Sequence, residues 1–396
     1  MTPAARLSAA IAVLDRVLAG DPAEKALTNW GRASRFAGSG DRAAVRDLVF
    51  DALRCKRSFA ALGGGLSGRG LVLGGLRDRG LDPAEYFTGI GHAPGVLTAA
   101  DAGYTPEGNV ALDCPDWLAP QLQASLAEDF APVMQALRQR APVFLRVNLA
   151  KTTVDQARAA LAAEGIQCKL HHLAKTALEV TENARKIQNS QAYLTGLVEL
   201  QDAASQAVIA ALPLADGQRV LDYCSGGGGK ALAMAAQARV QLVAHDADPR
   251  RMRDIPVRAA RAGVKITVAE TSALGMAYDV ILMDVPCSGS GSWRRDLQGK
   301  WALTEARLAA LCQIQAEIID KAALLLAPQG TLAYATCSML SAENEAQIAA
   351  FLARHPGWQN PLQQRFSPLQ GADGFFIGSR MVITVDELPR ANPVHF

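Results

Sequence analysis

The residues best suited to chemistry in this chain are two cysteines in matched settings. Cys287 stands in DVPCSGSG, residues 284–291, and Cys337 in YATCSML, residues 334–340. Each follows an apolar run that reads as a buried strand, and each is followed by small polar residues. Strand ends of this kind are where parallel α/β sheets bind their ligands. The plainer account of any single cysteine is a small buried apolar side chain, and Cys55, Cys168 and Cys312 fit it. Two thiols placed alike are harder to explain that way. A redox pair would want CxxC spacing and a thioredoxin-like setting, which are missing here. A thiolate can instead serve as a covalent nucleophile.

A cofactor loop lies upstream. VLDYCSGGGGKALAMAA reads strand, glycine loop, helix, with glycines at 226–229. Glycine there lets the backbone approach a ligand and turn sharply into the helix. A phosphate P-loop requires GxxxxGK followed by Ser or Thr; Lys230 is followed by Ala231, so ATP fits poorly. Asp246 ends the next strand and suits a ribose diol, although Asp246 and Asp248 would also serve as caps for the following helix. Asp222, the glycines and Asp246 together favour a nucleoside cofactor without phosphates, which points to S-adenosyl-L-methionine. A methyl donor beside thiols suits carbon 5 of a pyrimidine. That carbon is too weak a nucleophile to be methylated unaided, and thiolate addition at carbon 6 makes it electron-rich. The reaction needs a nucleophile, an acid that holds the ring and a group that assists release. Asp284, three residues before Cys287, is a candidate to pair with the exocyclic amine of cytosine, and Pro286 stiffens its approach. The spacing leaves open which cysteine attacks.

These side chains need a scaffold. From about residue 198, RVLDYC, VQLVAHD, KITVAE, YDVILMDV and GTLAYATC alternate with helical segments, the pattern of an open, mostly parallel sheet. The helical segment between Cys287 and Cys337 is long enough for their strands to be sheet neighbours. Ahead of it, PVFLRVNLA, TVDQARAALAAEG and ALEVT read as a small α/β module. The first part reads as helices: Leu7, Ile11, Leu14 and Leu18 form one apolar stripe, and Val45, Leu48, Val49, Ala52 and Leu53 a second. LGGGLSGRG at 62–70 reads as a loop, and CPDWLAPQL at 114–122 as the start of a helix with Pro115 in its first turn. Arg42, Arg46, Arg54, Lys56 and Arg57 line the polar side of the second stripe, either as a solvated face or as a phosphate-binding one. The expected fold is α/β: a Rossmann-like methyltransferase sheet preceded by an all-helical domain and a small α/β module. The expected divisions are 1–130, 131–197 and 198–396.

The 396 residues carry a net charge of +2, with 49% hydrophobic and 20% charged residues, so disorder is excluded and any nucleic-acid surface must be local. The first 20 residues are interrupted by Asp15 and Arg16, unlike a secretory signal, and no membrane-length apolar run occurs. Seven cysteines without metal-type spacing argue against a metal site and for a cytoplasmic protein with reduced thiols.

DYCSGGGGK, DVPCSGSGSWRR and YATCSML with AENE resemble motifs of the Nol/Nop/Sun family of RNA cytosine-C5 methyltransferases, of the bacterial Sun/RsmB type. LRVN at 145–148, VELQDAASQ at 198–206 and DGFFI at 373–377 extend the likeness, and DRAAVRDLVFDALR resembles a NusB-like helical RNA-binding domain. The resemblance implies that Cys337 is the nucleophile and that Cys287 assists release. It implies cofactor contacts at Cys224, Ser225, Gly226, Gly227, Gly228, Gly229, Lys230, Asp246, Arg251 and Asp284. Lys230 is also implied to reach the target base, and with Asp284 it completes the catalytic set. Ser225, Gly226 and Gly227 replace the family's Ala-Ala-Pro. Glu270, Thr271 and Ser272 stand where the family has an adenine-contacting Asp. The expected partner is RNA rather than DNA, from small-subunit rRNA, with the cytosine unstacked because an A-form helix hides the atom. Arg294, Arg295 and Lys300 are candidates to line the RNA path. Two rival expectations are a uridine-C5 enzyme and a non-catalytic RNA-binding assembly factor.

Overall fold

Apolar periodicity dictates the helices of the first part, with one rotation from expectation. The structure, a computed structural model, describes residues 1–360 and 362–383. Two compact units emerge: residues 1–140 with Trp293–Ala302, and Ala141–Ser292 with the described residues from Leu303 onward. In the first unit the helix Pro3–Leu18, capped by the Thr2 hydroxyl, buries Leu7, Ala10, Val13, Leu14 and Val17. Ile11 and Leu18 are only partly buried. The stripe is therefore turned toward the small Ala10, which lets neighbouring helices close in. The helix Ser39–Arg54 buries Val45, Val49, Ala52 and Leu53.

The glycine stretch at 62–70 is a shorter loop than expected, because a helix resumes at Gly68 and runs to Asp78. A Cβ on Gly74 would lie 1.9 Å from the Phe59 carbonyl oxygen, and one on Gly63 1.7 Å from that of Gly70. The glycines are there so that Lys56–Leu62 and Gly68–Asp78 can pack backbone to backbone. The helix expected at Pro115 begins at Ala119, with Pro120 in its first turn. Asp113, fully buried, caps the helix Lys56–Leu62 from outside its own sequence. Its carboxylate accepts the N–H groups of Arg57 and Ser58 (2.8 and 3.0 Å) and the Ser58 hydroxyl (2.7 Å). It also pairs with Arg138 at 3.0 Å.

The second unit contains two sheets. In the smaller, strands β1 (Val143–Val147), β2 (Gln167–Leu170), β3 (Ala177–Glu182) and β4 (Val198–Leu200) lie in the order β2-β3-β1-β4. The pairs β1–β3, β2–β3 and β1–β4 are antiparallel, the split β-α-β arrangement. The larger sheet comprises β5 (Arg219–Asp222), β6 (Gln241–Ala244), β7 (Thr267–Val268), β8 (Tyr278–Asp284), β9 (Leu326–Thr336), β10 (Trp358–Gln359), β11 (Leu362–Phe366) and β12 (Phe375–Ile383). Its order is β10-β12-β9-β8-β5-β6-β7, with β11 paired to β12. Strands β5 to β9 run parallel, and β12 is antiparallel to β9.

Val220, Val280, Leu282, Ala333 and Ala335 fill one core, while Leu221, Ile281, Met283, Leu332 and Tyr334 fill the other. Burial on both faces is why these strands read as continuous apolar runs. From β5 the chain first builds outward through β6 and β7, then returns to place β8 and β9 on the other side. The carboxyl ends of β5 and β8 thus flank a topological switch point, the ligand crevice of such sheets. Among the described residues no helix is long and apolar enough to cross a membrane.

Replacing Asp113 by Ala would orphan two buried N–H groups and remove a partner of Arg138. It should destabilise the helical unit by about 3 kcal/mol, measurable as a lower urea midpoint of its unfolding transition.

Candidate active site

At the end of β5 the backbone stays in the sheet for two more bonds: Tyr223 N–H donates to Leu282 O and Ser225 N–H to His245 O, both 2.8 Å. It then turns through Gly226 (φ +52°) and Gly228 (φ +79°), and the helix Gly229–Gln237 begins. A Cβ on Gly228 would meet Ile255 at 2.8 Å. At Gly229 the nearest atom to such a Cβ is Gln201 Nε2 at 3.9 Å, so that side of the loop faces space. Asp246, buried at the end of β6, accepts the N–H groups of Gly226 (2.9 Å) and Asp248 (3.0 Å) and pairs with Arg251 at 3.1 Å. The carbonyl of Gly227 accepts a hydrogen bond from Arg258. Arg146, from the LRVN stretch, donates to Gly229 O (2.8 Å) and Gln201 Oε1, holding the loop from beneath.

The open side of the loop is a cleft of about 160 Å³ lined by Gln201, Ser205, Asp222, Cys224, Ser225, Gly229, Lys230 and Asp284. Among the described residues, both carboxylate oxygens of Asp222 and the Ser225 hydroxyl are buried without a hydrogen-bond partner. Burial, with the nearby Asp284 charge adding to it, pushes the Asp222 carboxyl up to about 7. Burial also raises the Cys224 thiol. Lys230 Nζ lies 2.7 Å from Asp284 Oδ2 and 5.0 Å from the centre of the Phe375 ring. Burial works against the lysine's charge, yet Asp284 outweighs it and holds the proton above the usual lysine range.

Parallel pairing of β8 with β9, which sets Asp284 against Ala335, brings the two cysteine loops together. Cys287 Sγ lies 3.5 Å from Cys337 Sγ, and both side chains are partly exposed. Glu343, fully buried, ties the loops. Its carboxylate accepts Ser288 N–H (2.8 Å), the Ser288 and Ser338 hydroxyls (2.5 Å each) and the Gln315 amide (3.0 Å). Each bound serine directly follows a cysteine. A third link runs through backbone: Gly291 N–H donates to Cys337 O and Gly374 N–H to Gly291 O, both 2.9 Å. The two thiols differ in acidity. The hydrogen bond between the two sulfurs lowers Cys337, against the cost of its burial and with help from Lys230. The same bond, with burial and the Glu343 charge, raises Cys287 well above an ordinary thiol.

Thus Cys287, Cys337, Asp284 and Lys230 are neighbours, and Cys224, Ser225 and Gly229 line the cleft beside them. Gly226, Asp246 and Arg251 form the outer side of the loop. Of the three residues offered for adenine, Thr271 is engaged by His245 at 2.9 Å, which leaves Glu270 and Ser272. The placement of the basic residues is corrected. Lys300 and Arg294 are buried, so they do not line an exposed path. Lys300 Nζ donates to Arg54 O inside the helical unit. In the basic stripe, Arg46 pairs with Glu24, Arg54 with Asp51 and Arg57 with Asp116. Residues 384–396 lie outside the described residues. Glu343, Gln315 and Arg146 were missed as contributors to the site. The available signal was an acid in AENE shortly after a cysteine, with a serine following each cysteine.

The RsmB/F 16S rRNA methyltransferase family model matches residues 209–384, and the ferredoxin-like domain model of RsmF/B-like methyltransferases matches 114–188. Residues 209–384 thus match the RsmB/F methyltransferases, and 114–188 the ferredoxin-like domain of that group. Among similar RsmB proteins is ribosomal RNA small subunit methyltransferase B of Klebsiella pneumoniae, 35% identical over 280 residues, covering 66% of this chain and 64% of that protein. That of Vibrio vulnificus is 33% identical over 277 residues, covering 66% and 65%. The chain thus spans somewhat under two thirds of these relatives' length. The fold is shared with PH0851 (TM-score 0.77, 20% identical, 96% of this chain and 99% of that one). It is also shared with a methyltransferase homolog protein from Pyrococcus horikoshii (TM-score 0.61, 25% identical, 69% and 97%).

The unequal thiols should be visible to iodoacetamide followed by peptide mass mapping. Cys337 should alkylate before Cys287, with a rate that rises with pH through a midpoint below that of an ordinary thiol. Cys287→Ala should move that midpoint upward; equal reactivity of the two thiols would contradict this order of acidity.

Proposed function

We propose that the protein methylates carbon 5 of a cytosine in small-subunit rRNA, using S-adenosyl-L-methionine and a covalent bond from Cys337 to carbon 6. The observation that carries this reading is the pair of sulfurs 3.5 Å apart beside the Lys230–Asp284 ion pair. The cofactor fits the cleft on one particular ground. Asp222 has two buried, unpartnered carboxylate oxygens at the open side of the glycine loop, and a ligand's amino group or hydroxyl would satisfy them. Gly226–Gly229 and Asp246 would hold its ribose side, with Glu270 or Ser272 toward the adenine. When bound, S-adenosyl-L-methionine supplies an electrophilic methyl group.

The chain's own residues do the rest. The Cys337 thiolate forms a bond to carbon 6, which drives electron density to carbon 5 and toward the ring's polar edge. Asp284 accepts from the exocyclic amine and holds the ring, while Lys230 provides positive charge where negative charge develops. After methylation Cys287, as thiolate once its own proton has passed to solvent, takes the carbon-5 proton. The electron pair left behind restores the ring double bond and expels the Cys337 sulfur as thiolate. The raised pKa of Cys287 makes its thiolate the stronger base, and the lowered one of Cys337 favours the thiolate that attacks. The helical residues 1–130 are assigned to RNA positioning. A protein that only bound RNA would need neither thiol.

Transcripts of small-subunit rRNA incubated with protein and cofactor test this. Cys337→Ala should abolish methylation and leave no covalent adduct. Cys287→Ala should slow turnover by roughly 10²–10⁴ and accumulate a protein–RNA adduct that survives denaturing electrophoresis. Adduct formation by Cys337→Ala but not by Cys287→Ala would reverse the roles. Asp284→Asn should narrow the preference for cytosine over uridine in matched transcripts; an unchanged preference would remove Asp284 from base recognition.

A further inference from the structure

The helical unit contains a second hollow, separate from the cleft, of about 570 Å³. That is within the roughly 300–1,000 Å³ of ordinary ligand sites. Trp301 and Tyr104 contribute two aromatic rings and Lys56 an ammonium; Gly64, Gly65 and Leu66 form one edge. Tyr104 is 65% exposed. Trp301 is half-buried, and its ring is fixed in place: Nε1 donates to Leu53 O at 2.8 Å, and Lys300 Nζ lies 4.3 Å from the ring centre. Lys56 Nζ lies 5.5 Å from the same centre. Unlike Arg46, Arg54 and Arg57 on the same stretch, Lys56 has no carboxylate partner among the described residues. The one acid on the rim, Asp116, is neutralised by Arg57, whose two terminal nitrogens reach its two oxygens at 2.9 and 2.6 Å.

A rigid aromatic platform, a second exposed ring and an ammonium without a carboxylate partner form the combination that holds single-stranded nucleic acid. The rings stack a base of any sequence, and the cation meets the phosphate. A protein helix would ask for a longer apolar groove and would leave the ammonium unanswered. We infer that this hollow is a binding site for one unpaired nucleotide of the RNA, with the base stacked on Trp301 and Tyr104 and its phosphate at Lys56. The inference rests on the reading that the substrate is RNA, and it adds a contact point that does not belong to the reacting cytosine.

The full-length protein binding a short single-stranded oligouridylate, and a duplex RNA of the same length, tests it by filter binding across a salt series. Tyr104→Ala should weaken single-strand binding at least about fivefold, the lower end for one base–aromatic stack, and leave duplex binding unchanged. Lys56→Gln should reduce the slope of log affinity against log salt by about 0.7, one phosphate contact. Tyr104→Ala should keep the wild-type slope. Both side chains lie on the rim, and Trp301→Phe, which keeps a ring, should lose less than Trp301→Leu. Wild-type affinity and slope in both rim variants would overturn the site, leaving the hollow to another occupant such as a protein segment. Equal loss for single strand and duplex would also overturn it. Wild-type protein that binds neither RNA would instead sink the RNA reading itself, and the inference with it.

Discussion

A single buried carboxylate, that of Glu343, holds the chemical centre of this molecule together. Four hydrogen bonds converge on it, and three come from serines that directly follow the two cysteines. Parallel strands β8 and β9 deliver the cysteine loops to one edge of the sheet, but strand pairing ends at Asp284 and Thr336. Beyond that point the sulfurs are placed by contacts between the loops, this carboxylate and the backbone bond from Gly291 N–H to Cys337 O among them. A carboxylate in a low-dielectric interior is costly unless fully satisfied, and fully satisfied it imposes one arrangement on every donor. Asn344 extends the lock: its side chain accepts from Thr336 and donates to Ser338 O.

Around that lock the charges are distributed so that neighbouring groups of the same kind behave differently. Two thiols in contact are driven apart in acidity, one lowered and one raised. Two carboxyls line one cleft, yet Asp284 has an ammonium at 2.7 Å while Asp222 makes no hydrogen bond among the described residues and is pushed up to about 7. Environments that separate like groups in this way are how a site assigns different proton-handling tasks to them. Asp246 shows a further economy. It is poised at a strand end, as a ribose-binding acid would be, and it also fixes the glycine loop through Gly226 N–H.

Much of the framework was legible in the linear chain because its signals are local. The runs ending at Asp222, Asp246, Asp284 and Cys337 are all strands or strand ends, and their apolar continuity follows from burial on both faces. Glycine loop, helix and the two cysteine loops were readable from punctuation within a few residues. Partners distant in sequence were not readable. Glu343 reaches Ser288 across 55 residues, and Asp113 caps a helix that starts 57 positions before it (113 − 56). Arg46, Arg54 and Arg57 looked like an open basic stripe because the acids that pair with them lie mostly on other elements. Lys300 looked like a solvent-facing base, yet its stretch joins the helical unit and buries it. The first helix shows the limit within a local signal: Leu7, Ile11, Leu14 and Leu18 and the observed Leu7, Ala10, Leu14 and Val17 both satisfy helical spacing. Only packing against neighbours selects the second.

The direct test of the Glu343 lock is bridging of the two sulfurs by a short bis-alkylating thiol reagent, read as a cross-linked pair of peptides by mass spectrometry. In the wild-type protein Cys287 and Cys337 should be joined in high yield. In Glu343→Ala the yield should fall several-fold while circular dichroism keeps the folded spectrum. Bridging at the wild-type yield in the folded variant would mean that something other than this carboxylate sets the sulfurs in place.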